Sequence, residues 1–368
     1  MDLTQLRDAI ADVDRALLEL LRRRMELAAQ VGMIKATQGL PVVVRDVEDR
    51  VLTRAREHAE GCYVSPEVME AIFAAVIRGS VERQHRVGVA MRRQKGRRVL
   101  VVGGAGAMGG WFRHFLSLVG HTVDAVDPAW RDLPTGEGRY SSLEQMPLED
   151  YAYIVVAVPL SRTPEVLRRL IQARPPGHVI DIASIKSHLE PTLAEADAFG
   201  VKVNCLHPMF GPGKSPYQPL TFVLAYRTAP EAEREDVTPL LQHPYTHIIP
   251  VPFPHHDRLM GWLLGLAHLM GMLFARALAA SGLDPGELAA CASTTFQRQA
   301  ATASSVLSED PDLYLDIQRL NPHRHQVYEA TRQALEELVQ LVEKGDGEGF
   351  RNLMHRARQA LPELDQRP

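Results

Sequence analysis

Hydrophobic positions in the first ninety residues follow a helical pattern. From Leu3 to Ile34 they alternate in steps of three and four residues, the heptad spacing of a helix that packs against another helix. Gly39 is a usual helix stop, and further helices are predicted over 46–61 and from Pro66 onwards. We therefore expect the chain to begin with an all-helical domain.

Beyond this region the pattern changes to short apolar runs separated by helical stretches, as in a doubly wound parallel sheet. The predicted strands are Val99–Val102, Thr122–Val126, Ile154–Val158, Val179–Ile182, Val201–Leu206 and Thr221–Ala225. After about Pro254 the periodicity is helical again. The fold class is therefore multidomain, with an all-α domain at 1–90, an α/β domain at 97–252 and a second all-α domain at 253–368. The basic stretch 86–98 reads as a solvated linker.

Composition narrows the class of protein. The 368 residues carry 41 Lys+Arg and 45 Asp+Glu, a net charge of −4, which argues against a nucleic-acid binder. The three cysteines are far apart and exclude a disulfide framework. Because the N-terminus lacks an apolar signal core, we expect a cytoplasmic protein.

One uncharged stretch, Leu259–Ala275, is apolar enough to be considered as a membrane-spanning helix. It is shorter than the ~20 apolar residues of a spanning helix, although it contains a GxxxG pattern at Gly261 and Gly265. His268 lies in its middle and Arg258 precedes it closely. A helix that is buried in a subunit interface would have the same sequence pattern, so we do not expect this stretch to lie in a membrane. A membrane-spanning helix remains the alternative.

An arginine occupies the heptad seam of the first helix. An unpaired buried guanidinium costs several kcal/mol, so Arg24 requires an anion. Lys35 lies three turns plus about 20° further on and shares the face of Arg24. Arg7 lies about 25 Å from Arg24 along the helix, so one small ligand could meet both only across two chains. Each of these charges except Arg24 is also explained as a solvated surface charge.

The spacing over these helices resembles that of the all-helical chorismate mutases, from residue 1 to about 88. The matching positions are Leu6-Arg7-Asp8, Ile10, Asp14, Leu17-Leu18, Leu20-Leu21, Arg23-Arg24, Val31-Gly32 and Lys35. In that family the helices of two chains interlock to form a dimer with two shared sites. The resemblance implies that the ligand-binding residues are Arg7, Arg24, Lys35, Glu48, Ser80 and Gln84.

The implied reaction is the rearrangement of chorismate to prephenate. Arginines suit the two carboxylates of the substrate because the guanidinium binds them bidentately. Lys35 and Gln84 are the donors to the ether oxygen, where negative charge grows as the C–O bond breaks. Val47 stands where the family usually has an arginine, and Val44 where some members have an acid. A domain that only dimerises and senses ligand is therefore the alternative.

A glycine motif follows the first predicted strand. Gly104, Gly106 and Gly109 form GxGxxG at the start of a helix, and Asp127 ends the second strand, where an acid meets ribose hydroxyls. The motif predicts a Rossmann-like domain, with Met108 and Val158 also at the cofactor. Because Asp127 would repel a 2′-phosphate, we expect NAD rather than NADP. A flavin, or a turn without ligand, stays open.

Further motifs in this region resemble those of the prephenate dehydrogenases, over about 97–345. They are Asp181–Lys186 (DIASIK), His207–Pro212 (HPMFGP) and Asp310–Ile317 (DPDLYLDI). The resemblance implies that His207 accepts a hydrogen bond from the substrate hydroxyl and that Ser184 bonds both His207 and substrate. Lys186 and His268 are expected at the substrate, and the last domain is expected to dimerise.

Taken in order, the two resemblances are those of the bifunctional chorismate mutase/prephenate dehydrogenases. They imply a homodimer of tyrosine biosynthesis that makes 4-hydroxyphenylpyruvate with NAD, and no metal. One departure is Ser305, where the family has an arginine that binds a substrate carboxylate. Arg298 is the nearest substitute. Arogenate, an amino-substituted prephenate, or another hydroxy acid oxidised on the same sheet is therefore an alternative substrate.

Overall fold

The computed structural model describes residues 2–92, 96–132, 138–243 and 245–361. Its first part consists of α1 (Leu3–Gln38), α2 (Arg45–His58) and α3 (Pro66–Arg92), with α1 and α2 both packed on α3. The Asp2 side chain caps α1 at its start, and Gly39 ends it with a left-handed φ of 69°. The prediction of a helix that stops at Gly39 is confirmed.

The heptad seam of α1 lies on the surface of the single chain. Leu3 is 64% exposed and Leu17 is 53% exposed, and most of the remaining seam residues are exposed as well. Within the described residues, α1 buries Ala28 and Gly32, and Gly32 lies against Gln84 of α3. The apolar face of α1 therefore remains uncovered by its own chain.

The central part is an eight-stranded sheet with the order β3-β2-β1-β4-β5-β6-β7-β8. The strands are β1 (Arg98–Val102), β2 (Thr122–Val126), β3 (Arg139–Tyr140), β4 (Tyr153–Val156), β5 (His178–Asp181), β6 (Val203–Pro208), β7 (Leu220–Tyr226) and β8 (Thr246–Pro252). All pairs are parallel except β6 with β7, which is antiparallel. The α/β prediction is confirmed, but β3, β8 and the reversed β7 were not predicted.

Hydrophobic cores cover both faces of this sheet. Along β1, Val99 and Val101 join one buried cluster while Leu100 and Val102 join the other, because alternate residues of a strand point to opposite faces. The covering helices are α4 (Ala107–Leu118), α5 (Thr163–Ala173), α6 (Glu190–Phe199) and α7 (Pro230–Leu241). β1 lies between β2 and β4, so the strand order reverses there and opens a crevice at their carboxyl ends.

The remainder of the described chain is helical, as predicted. The elements are α8 (Phe253–Met260), a π-helical turn (Gly261–Leu266), α9 (Ala267–Ser281), α10 (Pro285–Ala290), α11 (Thr294–Leu307), α12 (Pro311–Leu320), α13 (Arg324–Glu343) and α14 (Gly347–Ala360). Gln318 donates a hydrogen bond of 3.0 Å to the carbonyl of Gly265 in the π-helical turn. By length and composition alone, Phe253–Ser281 could cross a membrane. A mostly buried core helix of a soluble protein passes the same test, but the apolar window of this segment is only 11% buried within the single chain.

Helix α3 continues into the central part of the molecule. The segment that we predict as a linker is helical up to Arg92, and its Val89 is 3% exposed within a sheet core cluster. One turn earlier, His85 donates an Nδ1–H hydrogen bond of 2.6 Å to the carbonyl of Tyr217 and stacks on Tyr245. Residues 93–95 of the predicted linker lie outside the described residues.

Candidate active sites

A cavity of about 280 Å³ lies between α1, α2 and α3. All the predicted mutase residues except Arg7 line it. These are Arg24, Lys35, Glu48, Ser80 and Gln84. The rest of its wall is largely aliphatic and includes Val44 and Val47. The cavity therefore combines two cations and a carboxylate with a largely aliphatic wall.

Arg24 is held against α3. Its Nη1 donates a 3.1 Å hydrogen bond to the carbonyl of Val76 and also contacts the Ser80 hydroxyl. The Ser80 Oγ in turn donates to the same carbonyl at 2.9 Å. Burial lowers the pKa of Arg24 from its usual range, as expected for a cation that has no carboxylate partner among the described residues. The guanidinium is oriented by neutral oxygens, which leaves its charge available to an anion.

Lys35 and Gln84 complete the polar part of this cavity. Lys35 Nζ donates to the carbonyl of Val42 at 2.6 Å; burial lowers its pKa, and Glu48 opposes that shift. Gln84 Oε1 is buried and has no hydrogen-bond partner among the described residues. Gly32 lets α1 approach closely, because a Cβ there would lie 2.8 Å from Cα of Gln84. The helix contact thus fixes where the Gln84 amide stands.

Arg7 is not brought to the cavity of its own chain. It is exposed on the first turns of α1, on the same helix as Arg24 but far along its axis. Val47, at the position of the family arginine, lines the cavity with an aliphatic side chain. The expected role of Arg7 in a second chain's cavity stays a prediction.

A larger cavity of about 760 Å³ opens in the crevice of the sheet. Gly106, Asp127 and Val158 line it, as predicted, and they follow β1, β2 and β4 respectively. Gly106 is the N-cap residue of α4 and makes no side-chain cap. The backbone N–H groups of the first turn of α4 are therefore left without a side-chain acceptor at the end of the helix that borders the cavity. Asp127 is fixed by hydrogen bonds from the backbone N–H of Ala105 (3.0 Å) and Ala129 (2.9 Å).

The glycines of this turn have different roles. Gly103, which was not predicted, has a φ of 86°, and a Cβ there would lie 2.3 Å from the carbonyl oxygen of Ala157. A Cβ on Gly109 would meet the Gly103 oxygen at 2.0 Å, and Gly104 packs against Ala125. Gly104 and Gly109 therefore shape the turn rather than line the cavity. Met108 packs on a sheet core cluster.

The cavity fits a dinucleotide. It has a glycine cradle, the N-terminus of a twelve-residue helix for a pyrophosphate, and an oriented acid for ribose hydroxyls. Positive side chains, Arg131 and Arg169, also line it. Among the described residues, no group of three or more side chains that could hold a metal ion is brought together.

His207 lies at the carboxyl end of β6 and is 3% exposed. Its Nδ1 is 3.1 Å from Nε2 of His256, and Nδ1 of His256 is 2.7 Å from Oδ1 of Asp257. Burial holds the pKa of His207 well below its usual range; His256 and Lys186 add to this, and Asp257 opposes it. The burial therefore favours the neutral form of His207. His256 and Asp257 were not predicted as site residues.

The other residues predicted near His207 differ from expectation. Lys186 is fully buried, and its ammonium binds the Asp181 carboxylate and the carbonyl of Leu206, at 3.1 Å from the latter. The expectation that Lys186 contacts the substrate is therefore corrected, because its ammonium is buried and binds Asp181 and the carbonyl of Leu206 instead. Ser184 is half-buried, and within the described residues no hydrogen bond joins it to His207.

The predicted residues of the last domain lie on separate helices. The ring of His268 packs on Tyr314 with centroids 4.2 Å apart, and its buried Nδ1 has no partner among the described residues. Burial lowers the pKa of His268. Arg298 and Ser305 are exposed on α11 of the single chain. Seven residues apart on one helix, they share a face about 10 Å apart.

Fold and cavities together define a class of protein: a helical ligand-binding domain joined to a dinucleotide-binding dehydrogenase. Residues 6–85 match the family model for chorismate mutase type II, and residues 253–356 match that for the dimerisation domain of prephenate dehydrogenase. The T-protein of Enterobacter agglomerans is 30% identical over 354 residues, which cover 95% of this chain and 90% of the relative. The chain therefore belongs to the T-protein family and joins a chorismate mutase domain to a prephenate dehydrogenase domain.

Two further likenesses cover the dehydrogenase part. A 4-amino-4-deoxyprephenate dehydrogenase of Streptomyces pristinaespiralis is 28% identical over 274 residues, covering 72% of this chain and 92% of the relative. The crystal structure of the A. aeolicus prephenate dehydrogenase, with hydroxyphenyl propionate and NAD⁺, covers 72% of this chain and 98% of its own at a TM-score of 0.57. At 18% identity, that structure supports the fold alone.

Proposed function

We propose that this chain is a cytoplasmic, homodimeric enzyme of tyrosine biosynthesis with two successive activities. It rearranges chorismate to prephenate in the helical cavity and then oxidises prephenate to 4-hydroxyphenylpyruvate with NAD. The observation that carries the proposal is that one chain of the T-protein family holds both cavities. Each is lined by the residue types that its reaction requires.

The rearrangement needs positioning and charge rather than a nucleophile. Arg24, oriented by Ser80 and the Val76 carbonyl, binds a carboxylate of chorismate. Lys35 and the Gln84 amide stabilise the charge that grows on the ether oxygen. It is the Gln84 N–H₂ group that donates to the ether oxygen, while the buried Oε1, which has no partner among the described residues, can accept from a donor on the substrate. The aliphatic wall excludes water and strengthens these interactions.

For the oxidation, NAD⁺ supplies a hydride acceptor when it is bound in the crevice. Gly103 and Gly106 allow the backbone to approach its pyrophosphate, and Asp127 binds its ribose hydroxyls. His207 is held neutral by burial, so it can accept a hydrogen bond from the substrate hydroxyl. Loss of the ring carboxylate makes the product aromatic, so the step is effectively irreversible.

The dimer is proposed from the uncovered apolar face of α1 and from the match to a dimerisation domain. A second copy of α1 would cover that face and would bring its Arg7 to the cavity that contains Arg24. An apolar seam of this length exposed to water favours association.

The test uses purified protein and separates the activities. Incubation with chorismate alone should consume it and yield prephenate, and addition of NAD should then produce NADH in equal amount. Oxidation of added prephenate without consumption of chorismate would favour a mutase-like domain that only dimerises and senses ligand, with Val47 as the reason. Consumption of chorismate without NADH formation would contradict the dehydrogenase assignment.

The residue at position 305 favours a substrate other than prephenate. Ser305 can donate a hydrogen bond but cannot balance a carboxylate, and a lost charged partner costs ~1.5–3 kcal/mol. Prephenate should then be oxidised with a raised KM, and Arg298→Ala should raise that KM further. Arogenate and 4-amino-4-deoxyprephenate should be assayed beside prephenate. If Arg298→Ala leaves kcat/KM for prephenate unchanged, Arg298 does not compensate and a relative of prephenate becomes the better substrate.

A further inference from the structure

A chain of buried side chains extends from His207 into the protein. His207 on β6 contacts His256 on α8, and His256 contacts Asp257 on the same helix. His256 and Asp257 have no exposed surface, and His207 is 3% exposed. Of these three residues, the resemblance to known dehydrogenases assigned only His207 a role.

Backbone hydrogen bonds fix Asp257. The N–H of Lys186 donates to Oδ1 at 2.9 Å, and the N–H of Ser187 donates to Oδ2 at 2.7 Å. Burial alone would raise the pKa of Asp257, but hydrogen bonds from His256 and Ser187 bring it to about 2. Asp257 is therefore an anion that can only accept hydrogen bonds.

The negative charge of Asp257 determines which ring nitrogen of each imidazole carries the proton. Nδ1 of His256 must carry the proton that it donates to Asp257, so Nε2 of neutral His256 has a lone pair. That lone pair accepts from Nδ1–H of His207 across 3.1 Å. Consequently Nε2 of His207 carries no proton and is the basic nitrogen left for a substrate.

We infer that His256 and Asp257 are positioning residues that hold His207 in this tautomer and share the positive charge when His207 takes a proton. This inference rests on the proposed dehydrogenase function only in the identity of the substrate. In the step, a hydride leaves the carbinol carbon for NAD⁺ and the hydroxyl proton moves to Nε2 of His207. The C–COO⁻ bond then breaks to release CO₂, its electron pair completes the aromatic ring, and the proton returns to the phenol oxygen. No net proton is released.

The charges around His207 explain why such a chain is needed. Lys186 and the ring of His256 oppose a second positive charge, and Asp257 favours it. The charge of Lys186 is largely met by Asp181, and His188 binds the carbonyl of Leu160. Asp257 is therefore the carboxylate that can stabilise an imidazolium in this buried position, where an isolated charge is costly.

The test compares Asp257→Asn and His256→Gln with His255→Gln, a change of the exposed neighbouring histidine. The first readout needs no substrate: ring-nitrogen NMR of protein carrying isotope-labelled histidine, with His207 signals assigned by their loss in His207→Gln. The second is the pH profile of dehydrogenase kcat and KM, with mutase activity of the same sample as the control for folding. His255→Gln should match the parent protein in every measurement.

We expect His207 of the parent protein to show a protonated Nδ1 and a bare Nε2, and Asp257→Asn to lose this pattern. Dehydrogenase kcat of Asp257→Asn should fall by ~10²–10⁴ with a nearly unchanged KM, and the deficit should shrink as the pH rises. His256→Gln should lose less, about 10-fold, because its amide oxygen still accepts from His207 but cannot carry charge.

An unchanged His207 tautomer in both variants, or a loss of kcat equal at every pH, would overturn the inference. A smaller kcat for His256→Gln than for Asp257→Asn, with mutase activity intact, would also count against it. If the parent protein oxidises no cyclohexadienyl substrate but the tautomer pattern depends on Asp257 as described, the substrate assignment fails and the chain of hydrogen bonds stands.

Discussion

Replacing Gly32 with alanine should damage one activity and spare the other. The added methyl would lie 2.8 Å from Cα of Gln84 and 3.1 Å from its carbonyl oxygen, in contact with the backbone of α3. Non-bonded carbons prefer ~3.5–4.0 Å, so α1 and α3 would have to separate by roughly 1 Å. Such overpacking costs ~1–3 kcal/mol, of which about 1 kcal/mol is offset by the better helix propensity of alanine.

The catalytic effect should exceed the effect on stability. Gln84 would move with the α3 backbone, and a displacement of about 1 Å can cost ~10² in rate at a preorganised site. Mutase kcat/KM should therefore fall by ~10–10²-fold. Dehydrogenase kcat/KM should change far less than mutase kcat/KM, because the three atoms nearest to the methyl all belong to Gln84 on α3 and none to the sheet domain.

Gly79→Ala is the matched control. Gly79 lies on α3 in the same helix contact, but a methyl there would meet the Met25 side chain at an ordinary 3.8 Å. This variant should keep mutase activity and gain ~0.5–1 kcal/mol of stability. Both activities and thermal unfolding would be measured on the same samples. Equal mutase activity in the two variants would refute the role of the close helix contact.

Three further outcomes are expected. Asp127→Ser should lower kcat/KM with NAD and raise it with NADP, and a parent protein that uses NADP as well as NAD would contradict the assignment of Asp127. Mixing Arg7→Ala with Arg24→Ala protein should restore mutase activity through heterodimers with one intact cavity; no recovery despite confirmed subunit exchange would count against a shared site. Dehydrogenase kcat should rise with pH through the pKa of His207 and then level, because the neutral imidazole is the active form. Since burial lowers that pKa well below 6.5, activity should fall only in acid, and a rise centred above that value would contradict the reasoning.

Periodic and local signals were readable from the sequence. The heptad seam and Gly39 predicted α1, and the position of Arg24 in that seam indicated a ligand cavity, which the structure contains. Short apolar runs separated by helical stretches predicted most of the strands. The two-residue strand Arg139–Tyr140 is too short to show a period, and Thr246–Pro252 is interrupted by prolines.

Contacts between segments that are distant along the chain could not be predicted from the sequence. His256 and Asp257 gain their place beside His207 from the packing of α8 on the sheet, and the sequence alone offered only a pair of adjacent histidines. Lys186 was expected at the substrate because it lies two residues after Ser184 in the same motif. Its pairing with Asp181 depends on the turn after β5, which directs the side chain inward.

Helix α3 makes the fusion of the two domains more than a tether. Its central turns contribute Ser80 and Gln84 to the mutase cavity, and the turns that follow bury Val89 and bind Tyr217 through His85. A truncated dehydrogenase that begins at β1 would expose the surface that these turns cover. Such a protein should be less soluble than the full chain unless the cut is placed before His85. An ancestral dehydrogenase that lacked α3 would have needed another element to cover that surface. Exchange of the mutase domain of this chain for another must therefore preserve the end of this helix.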